Sequence, residues 1–501
     1  MKVIPRTRGG ALWRFFLAAV VVIAATAATT AVAGLLQFKQ LAADIGVTSA
    51  LPRADVTLPD PGQPQTILII GSDHRAGTPV NGANTDTMLL VRLNGSSQTI
   101  NVMSIPRDLK VQIPGAGTAK LNSAYSIGGP NLLIKTIRQN VFPNLRVNHI
   151  VDVNFGGFEA LVNAIGCVYA DVDHRYYNNT IYDNYSSIDI QAGYQKLCGP
   201  QALEFVRFRH TDSDLVRNAR QQDFIRWAKD QYGVSSLLAN KDKLLRIFGA
   251  HTETDHNLHT LDGLLNLFNL VAFSDGHTIK QIRFPAIQDA CTAQSCYLTA
   301  DPGAEAGVFR AFMRPTQGPA AANPAGHSRK RSSRIATAGL APDVTNGKAQ
   351  AAALRGVGMP VYFPRLTVSG SIYCSSLAGN CDNPPNPASY FATAYPRAYT
   401  LRDQRHRPYA AYRMTIALNP MLGQYYGVQG TTWQDPPVLA SPTQTKVVAG
   451  KRLLLYAQGG KITNVAWRTR QGVYWISNTL TTDIGNREMV AIAASLTPAG
   501  A

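Results

Sequence analysis

Five residues able to bind an anion stand close together in one stretch of the sequence. They are Arg207, Arg209, Arg217, Arg220 and Gln221. The first two would point to one side of an extended segment, and the last three share one face of a helix at i, i+3 and i+4. Only Asp212 and Asp214 stand nearby, so the guanidinium groups would repel one another unless they bound an anion. One guanidinium can donate two parallel hydrogen bonds to the oxygens of a phosphate group. The stretch predicts a phosphate site near a helix start at Leu215. The alternative is a solvent-exposed charged face, but such a face would contain positive and negative side chains in more equal numbers.

Two aspartates frame a candidate metal site. Asp73 follows the apolar run Thr66–Ile70, which predicts a buried strand, and Asp86 immediately precedes the next predicted strand, Thr87–Leu93. Carboxylates at adjoining strand ends could share one Mg²⁺ or Mn²⁺, because hard cations prefer oxygen ligands and keep waters that a phosphate can replace. The alternative is that each aspartate caps a turn.

A third polar group follows another predicted strand. It consists of Arg107, Asp108, Lys120 and Asn122. The first two residues follow the strand Thr99–Ile105 after a turn set by Pro106, and the last two are expected in a loop ahead of Gly128–Gly129. An Arg–Asp pair of this kind is usually a surface ion pair of little consequence. Here it lies at a strand end, where the two aspartates should also converge.

Alternating strand and helix patterns are expected to position these groups. The further predicted strands are His149–Val153, Cys167–Val172 and Ile279–Phe284. The predicted helices are Pro130–Val141, Phe155–Ile165, Pro200–Phe205, Asn218–Tyr232 and Leu258–Phe273. This order predicts an α/β fold in which a mixed sheet is sandwiched by helices. Open sheets of this type bind ligands at strand ends, where the polar groups stand.

The formal net charge of +17 favours anionic partners, such as phosphate-bearing substrates or acidic membrane lipid. Nucleic acid is the least favoured anionic partner, because the predicted N-terminal anchor described next places the chain outside the cytoplasm. The sequence also contains no groove-reading motif and no zinc-finger spacing.

An apolar run near the N-terminus predicts a membrane anchor. Residues Phe15 to Leu36 carry no charge and would span roughly 33 Å as a helix. Four basic residues precede the run, whereas only Lys39 follows closely, so the positive-inside rule places the N-terminus in the cytoplasm and the rest outside. The alternative is a cleaved signal peptide, although the run is longer than a signal sequence requires.

The six cysteines agree with export to an oxidising compartment. We expect three disulfides, Cys167–Cys198, Cys291–Cys296 and Cys374–Cys381. The first pairing is the least determined of the three, because connectivity does not follow from sequence.

Shifts in composition divide the chain into six predicted segments. They are a cytoplasmic tail (1–14), a transmembrane helix (15–36), a stalk (37–65), the α/β domain (66–313), a basic Ala/Pro/Gly-rich linker (314–358) and a smaller α+β C-terminal domain (359–501). The elements expected in the last segment are strands at Tyr412–Leu418, Arg452–Ala457 and Gly472–Ser477 and a helix at Glu488–Ala494. The sequence assigns no role to this segment.

The polar groups occur in the order typical of one protein family. The motifs are Gly71-Ser72-Asp73-x-Arg75, Thr85-Asp86-Thr87, Ile105-Pro106-Arg107-Asp108, Lys120-Leu121-Asn122 and Arg207-x-Arg209 followed by Asp214-x-x-Arg217-x-x-Arg220-Gln221-Gln222. Together they resemble the LytR-CpsA-Psr family of cell-wall phosphotransferases. The resemblance implies an enzyme that moves a glycopolymer from a polyprenyl-pyrophosphate carrier to a peptidoglycan sugar hydroxyl, forming a phosphodiester.

The resemblance also implies a role for each residue. Asp73 and Asp86 would hold Mg²⁺. The expected catalytic residues are Asp73, Asp86, Arg107, Asp108 and Arg209. The expected substrate-binding residues are Arg75, Lys120, Asn122, Arg207, Asp214, Arg217, Arg220 and Gln221. The implied partners are the lipid-linked glycan, peptidoglycan and membrane lipid.

Two other functions fit the same residues. One is a non-catalytic protein that binds lipid-linked or anionic glycans, which would need only the arginines. The other is a polyprenyl-pyrophosphate hydrolase, in which water replaces the sugar hydroxyl. The retained aspartate pair argues against a protein that only binds.

Overall fold

The computed structural model describes a central mixed sheet of six strands and a second, antiparallel sheet of eight. The described residues are 51, 55–57, 60, 62–73, 83, 85–94, 99–178, 187–208, 213–232, 241–259, 266–267, 270, 277–289, 297–314, 339–375, 381 and 395–499. The predicted transmembrane helix (15–36), Arg75, Arg209, Cys291 and Cys296 lie outside them, as does most of the predicted helix Leu258–Phe273. Within the described part of the chain, no helix is long and apolar enough to cross a membrane.

The central sheet contains the strands predicted from the apolar runs. Its members are β1 (Gln65–Ser72), β2 (Thr85–Leu93), β3 (Thr99–Ser104), β6 (His149–Asn154), β11 (Thr252–Thr254) and β12 (Thr278–Ile282). They lie in the order β11-β6-β1-β2-β3-β12. The β1–β6 and β3–β12 pairs are parallel, whereas β2 runs antiparallel to both of its neighbours. The end of β1, the end of β6 and the start of β2 therefore meet at one edge.

Helices cover both faces of this sheet. The described helices of the first part of the chain are α1 (Leu121–Asn140), α2 (Phe155–Ile165), α3 (Gly199–Arg207), α4 (Asp214–Gln231), α5 (Lys241–His251) and α6 (Pro302–Met313). Alternate residues of a strand point to opposite faces, so Leu68 joins the core that contains α1 while Ile69 faces the other side. Ile225 of α4 packs on that other side against Leu89 and Val102. The predicted helix-sandwiched mixed sheet is confirmed.

Helix α1 begins nine residues before the predicted start at Pro130, at Leu121. Its path is interrupted at Gly128 and Gly129, and Gly129 has φ +63°, a conformation that favours glycine. Lys120 is the last residue of β5 (Gly117–Lys120), which pairs with β4 (Lys110–Ile113), and Asn122 lies in the first helical turn. The helix predicted from Pro130 is thus present after the glycine pair and runs to Asn140, whereas the loop predicted for Lys120 and Asn122 is wrong, because a strand and a first helical segment precede the glycines.

Helix α3 continues to Arg207, two residues beyond the predicted end. The prediction that Arg207 lies on an extended segment is therefore wrong. Phe205 and Val206 are both buried, so packing holds the last turn in helical form. The predicted disulfide Cys167–Cys198 is confirmed and joins the start of α3 to the residue before β7 (Val168–Val172).

Three short strand pairs complete the first part of the chain. Strand β7 pairs with β10 (Gly193–Leu197), and β8 (Tyr176–Asn178) pairs with β9 (Ile188–Ile190). Strand β13 (Ala286–Gln288) pairs with β14 (Leu298–Ala300).

The C-terminal part forms the eight-stranded antiparallel sheet. Its strands are β18 (Ile372–Tyr373), β19 (Arg397–Arg402), β20 (Pro408–Asn419), β21 (Gln424–Thr431), β22 (Gln444–Val448), β23 (Lys451–Gln458), β24 (Lys461–Arg468) and β25 (Val473–Ser477). Two smaller pairs accompany it, β15 (Leu340–Pro342) with β17 (Leu366–Val368) and β16 (Tyr362–Pro364) with β26 (Leu496–Pro498). The predicted terminal helix is present as α8 (Asn486–Ser495), and the Cys374–Cys381 disulfide is confirmed.

The predicted linker is wrong for residues 339–358. They contain β15 and helix α7 (Val344–Ala353), and Ala351 and Leu354 are buried in the same core as the large sheet. The Ala/Gly-rich composition suggested a linker, but small residues also permit close packing. Of the remainder, 314–338, the structure describes only Arg314.

The second sheet packs directly on the β7–β10 pair. Tyr169 and Tyr194 share an aromatic core with Trp475, and the Tyr194 and Trp475 rings lie edge to face at 5.7 Å. A buried ion pair crosses the same junction between Arg413 Nη1 and Asp171 Oδ1 at 3.3 Å. Polar contacts as well as apolar packing therefore join the two parts of the chain.

Candidate functional site

A β-bulge places Asp86 at the edge where the strand ends meet. Gly71 pairs with Thr87 and Ser72 pairs with Thr85, so Asp86 is the extra residue between them. Asp73 follows β1 at the same edge and is exposed. The structure thus brings together the strand ends that carry the two predicted metal ligands.

Side chains of neighbouring elements hold the bulge in place. Thr85 Oγ1 donates to the carbonyl of Gly71 or Thr87, at 3.2 and 3.1 Å. Gln221 Nε2 of α4 donates to Thr87 Oγ1 at 2.9 Å and to the Val206 carbonyl of α3 at 3.2 Å. Gln221 therefore links the strand that carries Asp86 to the helix that carries Arg207.

Asp86 accepts from two arginines that lie far apart in the sequence. Arg107 Nη1 contacts its Oδ1, and Arg207 Nε lies 3.3 Å from its Oδ2. The Arg207 guanidinium also lies over the Phe155 ring, 3.8 Å from the centroid. This cation–π contact orients Arg207 from the first residue of α2.

The segment after β3 brings Arg107 and Asp108 to the same place. Arg107 Nε lies 3.8 Å from Asp108 Oδ2 and 4.0 Å from Asp214 Oδ1. Lys120 Nζ lies 2.9 Å from Asp108 Oδ1. The Asn122 backbone N–H donates to the Arg107 carbonyl at 3.1 Å, which fixes the turn from the start of α1.

The N-terminus of α4 forms another side of the candidate site, next to the bulge of β2 and the segment after β3. Ser213 caps the helix, with its Oγ accepting from the Val216 N–H at 3.4 Å. Asp214 forms a buried ion pair with Arg217, whose side chain is 2% exposed. Burial raises the pKa of Asp214 against the opposing effect of Arg217, and burial lowers the pKa of Arg217. Both shifts follow from the removal of this pair from water.

The described cluster alternates cations with carboxylates. Its cations are Arg107, Lys120, Arg207 and Arg217, and its carboxylates are Asp86, Asp108 and Asp214. The expectation of guanidinium groups crowded with few acids nearby is therefore wrong, because Asp86 and Asp108 arrive from distant parts of the sequence. Among the described residues, Arg107 Nε and Arg217 Nε have no hydrogen-bond partner, which leaves spare donors for an anion.

The structure does not bring Arg220 into this cluster. Its side chain is fully buried, with Nη1 donating to the carbonyls of Phe205 and Phe208 at 3.0 and 2.8 Å. Its Nε donates to Tyr176 Oη at 3.2 Å, and the guanidinium lies 4.4 Å from that ring's centroid. Arg220 therefore acts as a positioning residue that holds the segment around Arg207.

Arg220→Lys is expected to weaken this segment while retaining the charge. A lysine cannot make the forked contacts to two carbonyls, so we expect a loss of about 1–3 kcal/mol in the free energy of unfolding. Urea denaturation of the full chain measures the loss. Arg407→Lys, at a guanidinium that is 61% exposed and pairs with Asp403, serves as the control and should change stability far less. Equal stability of the two variants would contradict the positioning role.

One buried group near the site was not singled out from the sequence. Asp152 of β6 accepts from Ser72 Oγ at 2.7 Å and from Tyr125 Oη. Burial, followed by the charge of Asp152, raises the pKa of Tyr125, so this phenol keeps its proton. The group ties the end of β1 to α1 directly behind Asp73. The sequence feature that could have revealed this group is a carboxylate between Val151 and Val153 in an otherwise apolar strand.

The donor types suit a diphosphate with a divalent cation. Asp73 and Asp86 provide hard carboxylate oxygens, and the two arginine contacts of Asp86 leave lone pairs for a metal ion. No group of three or more metal-binding side chains occurs among the residues that the structure describes.

Comparison with known proteins identifies a family and similar sequences. A sequence model of the LytR_cpsA_psr family matches residues 35–306. The chain is 32% identical over 239 residues to the polyisoprenyl-teichoic acid–peptidoglycan teichoic acid transferase TagU of Oceanobacillus iheyensis, covering 44% of this chain and 71% of that protein. It is 32% identical over 209 residues to the corresponding transferase TagT of Bacillus subtilis, covering 41% of this chain and 64% of the relative.

Solved structures give a weaker similarity. The crystal structure of B. subtilis TagV aligns with 25% identity and a TM-score of 0.42, covering 50% of this chain and 96% of that one. The match to the family model spans more than half of this chain. The chain therefore belongs to the LytR_cpsA_psr family.

Proposed function

We propose that this chain transfers a glycopolymer from a polyprenyl-pyrophosphate carrier to a sugar hydroxyl of peptidoglycan. The observation that carries the proposal is the contact of Asp86 with both Arg107 and Arg207 at the sheet edge, beside the Asp214–Arg217 pair. Family membership supports it, since the relatives TagU and TagT are named as teichoic acid transferases.

The cluster would act by positioning and by neutralising charge. Arg107, Arg207 and Arg217 would bind the pyrophosphate oxygens, with Arg75 and Arg209 as further ligands from the sequence motifs. The acceptor hydroxyl oxygen forms a bond to the phosphorus that bears the glycan, while the bond to the bridging oxygen breaks and polyprenyl phosphate leaves. The hydroxyl proton is released in the same step. Phosphoryl transfer depends mainly on such placement and electrostatic stabilisation.

A divalent cation is part of the proposal. Asp73 and Asp86 would hold Mg²⁺ or Mn²⁺, which would supply charge neutralisation at the phosphate oxygens. We also propose that residues 15–36 anchor the chain in the cell membrane with the N-terminus in the cytoplasm. The site would then face the membrane surface from outside, where a lipid-linked donor is available.

The test is a transfer assay with the full chain in detergent. With Mg²⁺, a lipid-pyrophosphate glycan and peptidoglycan, we expect release of polyprenyl phosphate and attachment of the glycan. EDTA should stop both, and added Mg²⁺ or Mn²⁺ should restore them. Release that is independent of peptidoglycan would indicate a hydrolase. Binding of the donor without any product would indicate a protein that only binds glycans.

A further inference from the structure

Two adjoining cavities lie where α4 meets the second sheet. Their volumes are about 280 and 530 Å³, and they share Arg226, Gln458, Gly459, Thr463 and Asn464 in their walls. None of the seven charged residues of the described cluster lines either cavity. The junction is therefore a separate concave surface, built by both parts of the chain.

Helix α4 connects this surface to the candidate site. Asp214, Arg217 and Gln221 contact the cluster and the bulge, whereas Asn218 and Gln222 line the smaller cavity about 100° around the same helix. A ligand in the cavity would thus contact the same helix that carries Asp214 and Arg217.

The hairpin of β23 and β24 forms the opposite wall. Gln458 pairs with Lys461, which leaves Gly459 and Gly460 as a two-residue turn in which both have positive φ. Turns of this type match the strand twist and favour glycine. A Cβ atom at Gly459 would lie 3.8 Å from the Gln281 carbonyl of β12, so the turn packs close to the central sheet.

The lining of the smaller cavity is polar but balanced in charge. Eleven of its 23 residues are Ser, Thr, Asn or Gln, and its charged residues are three acids and three bases. Asp223 accepts from Arg226 Nη2 at 2.8 Å and from Gln281 Nε2 at 3.0 Å, so this acid is already neutralised. Such a surface favours neither an anion nor a cation. It suits a neutral ligand with many hydroxyl groups, and Trp227 adds apolar area.

Two buried polar atoms in the lining lack partners. Asn218 Nδ2 and Arg226 Nε have no hydrogen bond among the described residues, and both side chains belong to residues that are 7% exposed. Leaving such donors unpaired is unfavourable, because they have lost their hydrogen bonds to water without gaining others. A ligand that accepts hydrogen bonds would remove this cost, which is the strongest single indication that the cavity binds something polar.

We infer that this junction is a saccharide-binding site formed jointly by α4 and the β23–β24 hairpin. Its assignment to the acceptor glycan rests on the proposed function: a glycan strand held here, beside the helix that carries Asp214 and Arg217, would present the hydroxyl of a neighbouring sugar to the phosphates. The C-terminal sheet thereby gains a role in recognising the sugar.

The test measures binding of the repeating disaccharide of peptidoglycan to the full chain by saturation-transfer NMR. Asn218→Leu keeps the branched shape of the side chain and removes the Nδ2 donor, which makes no hydrogen bond among the described residues, so we expect the variant to fold. Its affinity for the disaccharide should fall about tenfold, because a ligand acceptor loses its donor. Lys229→Ala, on α4 but outside both cavities, is the control and should bind normally.

Two further binding measurements identify which glycan the site recognises. A lipid-free teichoic acid fragment tests whether the glycan of the donor is bound in place of the acceptor. The unrelated sugar maltose tests specificity. Asn218-dependent binding of either cell-wall glycan supports the site. Absence of wild-type binding to both, or binding that Asn218→Leu leaves unchanged, overturns it. Because no transfer is needed, failure of the proposed reaction would be seen separately.

Discussion

Asp86→Asn is expected to lower the kcat/KM for glycopolymer transfer by at least ~100-fold, which corresponds to about 2.7 kcal/mol of transition-state stabilisation. The amide keeps the size of the side chain but loses the charge that holds both Arg107 and Arg207. It is also a weaker ligand for the proposed cation. The concentration of Mg²⁺ that gives half-maximal rate should therefore rise. The measurement is the initial rate of polyprenyl phosphate release as a function of Mg²⁺.

Asp55→Asn provides a matched control. Asp55 also pairs with an arginine, Arg138, but its side chain is 75% exposed and lies outside the cluster. Its replacement should change the rate and the stability very little, because exposed ion pairs contribute roughly 0–1 kcal/mol. Wild-type transfer by a folded Asp86→Asn chain would exclude Asp86 from the reaction.

Arg413→Met is expected to destabilise the junction between the two sheets by about 3–5 kcal/mol. The Arg413 guanidinium is fully buried and contacts Asp171, Ser477 Oγ at 2.8 Å and the Asp173 carbonyl at 3.3 Å. Methionine would fill much of the volume but leave Asp171 as a buried charge, whose remaining side-chain contacts among the described residues are those with Trp475 and Asn464. The measurement is the urea midpoint of the full chain.

The loss of stability caused by Arg413→Met should depend on pH. Burial raises the pKa of Asp171, and Arg413 opposes that rise, so removing Arg413 raises the pKa further. When the pKa of a carboxyl group is raised in the folded protein, its protonated form stabilises the fold. This contribution of Asp171 is fully present below its pKa in the unfolded chain, 3.8, and is lost as pH rises through its pKa in the folded protein. The difference from wild type should accordingly be smallest near pH 4 and grow towards neutral pH.

Two further variants test whether the unpaired buried charge of Asp171 causes this loss of stability. The double variant Asp171→Asn/Arg413→Met should recover part of the lost stability, because no unpaired charge remains. Arg407→Met removes a guanidinium that is 61% exposed and pairs with Asp403, so it should have little effect. Equal urea midpoints for Arg413→Met and Arg407→Met would show that the buried pair does not hold the sheets together.

The same ion pair lies at one end of a series of polar contacts that leads to the candidate site. Arg413 contacts the Asp173 carbonyl, and Asp173 Oδ1 accepts from Tyr176 Oη at 2.5 Å. Tyr176 in turn accepts from Arg220, which holds the carbonyls of Phe205 and Phe208 around Arg207. We therefore expect Arg413→Met to reduce transfer as well as stability, measured below the onset of unfolding.

Local patterns predicted much of this architecture. The helix Phe155–Ile165 has the bounds expected from its spacing, and the strands around Thr66–Ile70 and Thr99–Ile105 are present. Periodicity was informative here because the burial of one face repeats every two or 3.6 residues along the chain itself. It was less informative at Leu121 and at residues 339–358, where glycine and alanine were taken as signals of a loop or linker.

The sequence by itself determined the family, the order of the polar motifs and the strands whose ends carry Asp73 and Asp86, since each depends on residues close together in the chain. Only the tertiary structure decided which charges meet. It put Asp86 in a bulge between Arg107 and Arg207, turned Arg220 into the interior and set the second sheet against α4. The reason is that hydrogen-bond register and burial arise between segments tens to hundreds of residues apart, and spacing along one segment carries no record of them.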